Sequence, residues 1–191
     1  MDNDYVAKYY DETLPYYKYT WSGSAHALHY GFWDKNTKNV KEALLNENKF
    51  LTEIAKIRAT DKILDAGCGV GGSTIWIAEN VGANVVGITL SPKQLEKAQK
   101  LASKHNVNLK TEFKIDDFLK TSFSDNIFDI VWAIESVCHT ENKIDFLAEA
   151  YRILKPGGRV IVADGFLMRD VLTIEEKLYE DFLAGLALPN L

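Results

Sequence analysis

Cysteine, proline and methionine are scarce: two, four and two residues in a chain of 191. Cys68 and Cys138 make no disulfide framework, so a reducing cytoplasm is the expected setting. No apolar run reaches the roughly 18 residues that a membrane span needs. The opening residues, MDNDYVAKYYDE, lack a basic stretch leading into an apolar one, so no secretory leader is expected. Positive charge is not in excess. Lys and Arg number 22 against 27 Asp and Glu, the formal net charge is −5, and the basic residues are scattered. That argues against a nucleic-acid partner and a polybasic membrane surface. No G-x-x-x-x-G-K-[ST] occurs, which argues against a P-loop. His26 and His29 have no companions at metal-ligand spacing, so no metal is expected. No repeat or low-complexity linker interrupts the chain, and residues 1–191 are read as one domain.

What is present centres on Lys62 to Asn80, KILDAGCGVGGSTIWIAEN. A short apolar run ends at Asp65, Gly67, Gly69, Gly71 and Gly72 follow, and Ser73 to Glu79 carries an apolar helical face. Strand, glycine turn and helix form a nucleotide pocket at the carboxyl end of a first strand. Glycine accepts positive φ and lets a ligand lie against the backbone. Gly67, Gly69 and Gly72 match G-x-G-x-x-G, the dinucleotide fingerprint, which wants an acid about 20 residues on. Thr89 stands there instead.

The rest alternates. Asn39 to Arg58 has helical apolar spacing, and Ala83 to Leu90 reads as a second strand. Ser91-Pro92 opens a helix to about His105. Leu109 to Ile115 reads as a third strand ending at Asp116-Asp117, and Phe128 to Glu135 as a central strand buried on both faces. Asp145 to Leu154 is helical, Lys155 to Gly158 stops it, and Arg159 to Asp164 is a fifth strand. Thr173 to Leu186 reads as a helix, and residues 1–40 as an irregular, aromatic-rich segment. Five rounds of strand and helix predict an α/β fold, a parallel sheet with helices on both faces.

Several stretches carry a resemblance. D-x-G-x-G-x-G from Asp65 to Gly71 resembles motif I of the class I S-adenosylmethionine (SAM)-dependent methyltransferases. ITLSPKQ, the Asp116 corner, FDIVWAIES and LKPGGRV follow in that family's order. HYGFWD and the ITLSP-x-Q stretch are similar to the tocopherol-type methyltransferases, and YKYTWSGSAH to the aromatic region of sterol C-methyltransferases. AIESVCHT resembles the E-S-x-x-H of tocopherol-type and rebeccamycin-type sugar methyltransferases. No N-P-P-Y-type run follows the fourth strand, unlike the DNA adenine methyltransferases.

The resemblance implies a Rossmann-like class I methyltransferase sheet and SAM as cofactor, with S-adenosylhomocysteine as its product. Asp65 and the Gly67, Gly69 and Gly71 turn would take the amino-acid end of SAM. Thr89, Leu90 and Gln94 would meet the ribose, in place of the family's usual acid. Asp116 and Asp117 would sit at adenine, and Glu135 would touch the acceptor or the ammonium. His139 is the candidate base and Asp164 its paired acid. The N-terminal aromatics, Tyr19, Trp21, Tyr30 and Trp33 among them, would form a lid whose rings face the sulfonium cation. Cys138 is read as packing.

The implied partner is a small-molecule acceptor methylated on O, N or C. The alternatives are an NAD-type oxidoreductase and a non-catalytic SAM-binding protein. The family normally adds two strands after the fifth, whereas 27 residues follow Asp164 here and end in an apolar stretch. The sequence is therefore expected to represent a longer protein. If it does not, the fifth strand is an exposed sheet edge through which two copies would pair.

Overall fold

A computed structural model describes residues 3–20, 26, 27 and 29–165, with backbone alone for 17–20. The expected helix at 173–186, Trp21 and the Tyr19 side chain lie outside the described residues.

The first element corrects an expectation. The N-terminal segment begins as a helix, α1 (Asn3–Thr20), not as irregular chain. The crowd of tyrosines hid an i, i+4 pair, Val6 and Tyr10, on its inner side. The helix forms in spite of Pro15 inside it, which removes a backbone donor. Helix α2 (Val40–Ala55) starts where side chains close its first turn. The Asn39 side chain accepts from Glu42 N at 3.0 Å, and the Glu42 carboxylate accepts from Lys38 N at 2.8 Å. Lys56 ends it in a left-handed conformation.

The alternating core follows: β1 (Lys62–Ala66), α3 (Gly72–Asn80), β2 (Asn84–Thr89), α4 (Pro92–Lys104), β3 (Thr111–Ile115), β4 (Phe128–Ile134), α5 (Lys143–Ile153) and β5 (Leu154–Ala163). A 3-10 turn, Val137–His139, lies between β4 and α5. Ser91 caps α4 through Gln94 N at 3.1 Å, with Pro92 at its first position, as the sequence predicts. The strands form one parallel sheet in the order β3-β2-β1-β4-β5. Strand β4 is a near-continuous apolar run because Phe128, Ile130, Val131, Trp132 and Ala133 are all buried. Phe128 and Val131 face one core cluster, with Phe146 and Ile153 of α5, while Ile130 and Trp132 face another, with Leu51 of α2 and Ile77 of α3.

Strand β5 begins earlier than the sequence suggests, because Leu154 already pairs with Phe128. The register then jumps so that Ile130 meets Arg159, and residues 155–158 form a bulge with Gly157 at φ +79°.

The sheet order positions the site. The chain runs outward from β1 through β2 to β3, then returns to the other side of β1 for β4 and β5. The loops after β1 and β4 therefore part in opposite directions and leave a crevice at the carboxyl ends of the strands.

Candidate active site

That crevice holds a cavity of about 280 Å³. Its walls come from the carboxyl ends of four strands and the loops after them: Asp65, Gly67 and Gly69 at β1, Thr89 to Ser91 at β2, Asp116 to Leu119 after β3, and Glu135, Ser136 and His139 after β4. Asn3, Val6 and Tyr10 of α1 close it from outside.

The three motif glycines do different work. A Cβ at Gly67 (φ +82°) would overlap Ser136, whose hydroxyl donates to the Ala66 carbonyl at 2.7 Å. Gly67 thus lets the loops after β1 and β4 close on each other. A Cβ at Gly71 (φ +85°) would meet the Phe113 ring at 2.8 Å, and Gly71 is not part of the cavity wall. Only Gly69 faces open space, where a Cβ would find nothing nearer than Gln94 Nε2 at 3.8 Å. It is the position where a ligand can lie against the backbone.

Asp65 is 3% exposed and accepts a hydrogen bond from Thr74 Oγ1 at 2.6 Å. Burial pushes its carboxyl up to about 6, against the Thr74 hydrogen bond and the nearby His29. A buried carboxylate at a cavity wall suits a cationic group. Thr89 Oγ1 donates to Gln94 Oε1 at 2.7 Å, which fixes the amide and leaves Gln94 Nε2 toward Gly69. Thr89 is thus engaged with Gln94, which becomes the donor at that corner.

At the third strand both acids line the cavity, and both are committed to the chain. Asp116 accepts from Ser122 N at 3.0 Å and Ser122 Oγ at 2.7 Å, and its other oxygen accepts from Asp117 N at 2.9 Å. Asp117 accepts from Leu119 N at 2.8 Å and Asn3 Nδ2 at 2.7 Å. The neighbouring apolar wall, Phe118 and Leu119, has no counterpart in the sequence expectations, although an aromatic after a strand-end acid pair was visible as a signal.

Glu135 follows β4 in a left-handed conformation, φ +45°, which a non-glycine residue adopts only when held. Its backbone N–H donates to Ala163 O at 2.7 Å and its carboxylate accepts from Tyr30 N at 2.7 Å. Burial pushes this carboxyl up to about 7, with the like charges of Glu47 and Asp164 adding to it. Beyond it, His139 Nε2 lies 2.6 Å from the Tyr10 hydroxyl, in an edge-on ring contact.

Two expectations need correction. Asp164 makes no hydrogen bond to His139 among the described residues. It accepts from Cys138 N at 2.9 Å and from Gly165 N at 2.8 Å, because it lies beneath the 3-10 turn rather than beside the imidazole. It therefore holds the turn that carries His139. Tyr30 and Trp33 do not line the cavity. Both are exposed, and Trp33 Nε1 donates to the Tyr30 carbonyl at 3.1 Å. Among the described residues, the N-terminal tyrosine that lines the cavity is Tyr10. The Cys138 thiol is pushed well up by burial and the neighbouring Asp164, as suits a packing residue rather than a nucleophile. His29 gains in space the companions it lacks in sequence: it is 5% exposed, pairs with Glu47 of α2, and lies near Glu135.

A parallel five-stranded sheet with this order and a glycine-loop cavity at its switch point defines a Rossmann-like nucleotide-cofactor protein. The methyltransferase-domain family model matches residues 64–162, and the chain belongs to that family, the class I SAM-dependent methyltransferases. It is similar to the chloroplastic tocopherol O-methyltransferase of Arabidopsis thaliana, with 33% identity over 82% of this chain and 48% of the relative. It is also similar to the sterol 24-C-methyltransferase of Saccharomyces cerevisiae, with 34% identity over 84% of this chain and 41% of the relative. The chain thus spans about half the length of the curated relatives it matches.

Among solved structures, the [4+2]-cyclase SpnF superposes with a TM-score of 0.80 at 26% identity, over 85% of this chain and 60% of that one. The geranyl diphosphate C-methyltransferase of Streptomyces coelicolor, in complex with Mg2+, geranyl diphosphate and S-adenosylhomocysteine, superposes at 0.77 with 22% identity, over 94% and 72%. The oxidoreductase alternative finds no support in these relatives. The residues present fit the family's cofactor: a buried acid, an open glycine and an oriented amide line one cavity.

Proposed function

We propose that this protein transfers a methyl group from SAM to a small-molecule acceptor. The observation that carries the reading is one continuous cavity, with Asp65 and Gly69 on its wall together with the Tyr10–His139 pair, in a chain of the methyltransferase family. When bound, SAM supplies an already activated methyl on a sulfonium, so that much of catalysis is positioning. Asp65 would hold the ammonium, Gly69 would admit the methionine part, and Gln94 would meet the ribose with Thr89 and Leu90 beside it. Asp116, Asp117 and Phe118 would bound the adenine.

His139 is the base we assign for an acceptor that must lose a proton, a hydroxyl or an activated carbon. The Tyr10 hydroxyl on its Nε2 marks where such a hydroxyl would stand. Asp164 is a positioning residue, acting on His139 through the Cys138 amide. The names of the relatives, tocopherol, sterol and geranyl diphosphate, support an apolar or ring-bearing acceptor. No helix among the described residues is long and apolar enough to cross a membrane. A cytoplasmic setting is a further part of this reading, and so, should β5 remain a free sheet edge, is pairing of two copies along it. Cell fractionation and light scattering check them.

The test is calorimetry with SAM, S-adenosylhomocysteine and NAD. Binding of the first two and not of NAD, lost in Asp65→Ala, is expected, and binding of NAD alone would overturn the reading. The pH dependence of turnover in His139→Ala and Asp164→Asn then tests the base; unchanged profiles would remove both from it. The likeness to a cyclase of this fold favours a second reading, SAM binding without transfer. Release of S-adenosylhomocysteine with an acceptor panel separates the two.

A further inference from the structure

We propose that His29, Glu47 and Glu135 form a site for one divalent transition-metal cation. Three separate parts of the chain deliver these groups: the segment before α2, the buried side of α2, and the strained residue after β4. One donor atom from each lies within 4.8 Å of the other two. Donors bound at about 2.0–2.2 Å stand about 3 Å apart when adjacent on a cation and about 4 Å apart when opposite, so a small contraction closes the set.

The environment suits a cation. The side chains of His29 and Glu47 are 7% and 12% exposed. Two carboxylates and an imidazole brought out of water are stable together only with a proton or a cation among them. Here His29 Nδ1 already meets a Glu47 carboxylate oxygen, while Glu135 accepts one hydrogen bond, from Tyr30 N, on one oxygen, which leaves its second oxygen for another ligand. Metal binding would release to solvent whatever proton these groups carry, since ligating imidazole is neutral and ligating carboxylate ionised. One nitrogen and two carboxylate donors favour Mn2+, Fe2+ or Zn2+ over a thiolate-seeking ion. His29 and Glu135 both line the cavity, so the coordination positions left over face the space where an acceptor would sit. There the cation would lower the pKa of a bound hydroxyl. The binding site itself rests on geometry and not on methyl transfer.

The test uses the full chain stripped with a chelator and titrated with Mn2+ in the absence of SAM, read by loss of the free-ion paramagnetic signal. One bound Mn2+ per chain, with proton release and a raised melting temperature, is expected. The near-isosteric Glu47→Gln and Glu135→Gln variants, checked for folding by circular dichroism, should each bind at least about tenfold more weakly and lose the melting shift. No binding of Mn2+ or Zn2+ at millimolar concentration would overturn the site. So would variants that fold and bind as the parent does. Calorimetry with SAM alone reports separately on the transfer reading.

Discussion

Lys93 Nζ lies 3.1 Å from the carbonyl oxygen of Asp11, an acceptor that Pro15 leaves without its helical donor. The proline that interrupts α1 thereby provides a docking point for the helix on α4. The Asp11 carboxylate accepts from Ser91 Oγ and, at 3.3 Å, from Lys93 N, so a single residue of α1 engages the start of α4 three times.

Lys93→Met keeps the aliphatic stem and removes the donor. A hydrogen bond of this kind contributes about 1 kcal/mol, so local opening of α1 should become about fivefold more frequent. Hydrogen–deuterium exchange over residues 5–14 measures it. Unchanged exchange would mean that the Asp11, Asn3 and Tyr10 side-chain contacts and the packing of Val6 and Leu14 hold the helix without the Lys93 side chain.

Gly67→Ala and Gly69→Ala should part company. At Gly67 the added methyl overlaps Ser136 and the conformation is left-handed, so a loss of about 3 kcal/mol in stability is expected. At Gly69 there is room, and the left-handed backbone alone costs about 1 kcal/mol. Cofactor affinity should nevertheless fall at Gly69, because the methyl enters the cavity. Denaturant melts and calorimetry on the two variants distinguish these outcomes.

Asp65 sets a conflict between stability and binding. Its carboxyl is raised to about 6 in the folded chain, above the ordinary 3.8. The unfolded chain therefore loses this proton first as pH rises from about 4 to 6, and stability declines across that window by about 3 kcal/mol. Asp65→Asn should be more stable than the parent at pH 8, equal to it near pH 3, and unable to bind SAM. Melting temperatures at the two pH values test the sign. Thr74→Val, which removes the hydrogen bond that favours the ionised form, should move the binding curve to higher pH.

Glu149 should tilt stability the other way. Two-point contact with Arg152, helped by Thr121, holds its carboxyl down to about 2. The stabilisation it gives is complete above its ordinary 4.5 and is lost as pH falls toward 2. Glu149→Gln should flatten the acid limb of the stability profile while leaving SAM binding unchanged.

The sheet was legible because buried parallel strands are written as apolar runs, and FDIVWAI could hardly be anything else. The start of α4 was legible because Ser91-Pro92 is a local signal. The cofactor wall was legible in its residues but not in its division of labour. That Gly67 serves Ser136 and Gly71 serves Phe113 depends on loops far away in sequence, as does the commitment of Asp116 to Ser122. The same limit hid Glu47 from His29. Helix α1 was missed for a different reason: its inner apolar stripe, Val6, Tyr10 and Leu14, is sparse among exposed tyrosines, and its proline is compensated by a lysine in another helix.

Helix α1 touches the cavity at Asp117 through Asn3 and at His139 through Tyr10. One helix therefore covers both the wall assigned to adenine and the wall assigned to the acceptor. Displacing that helix as a unit would uncover both together. Loading and unloading would then be a shared kinetic event, with a spent nucleoside and a finished product released by the same displacement. A slow exchange of either ligand would then throttle the other.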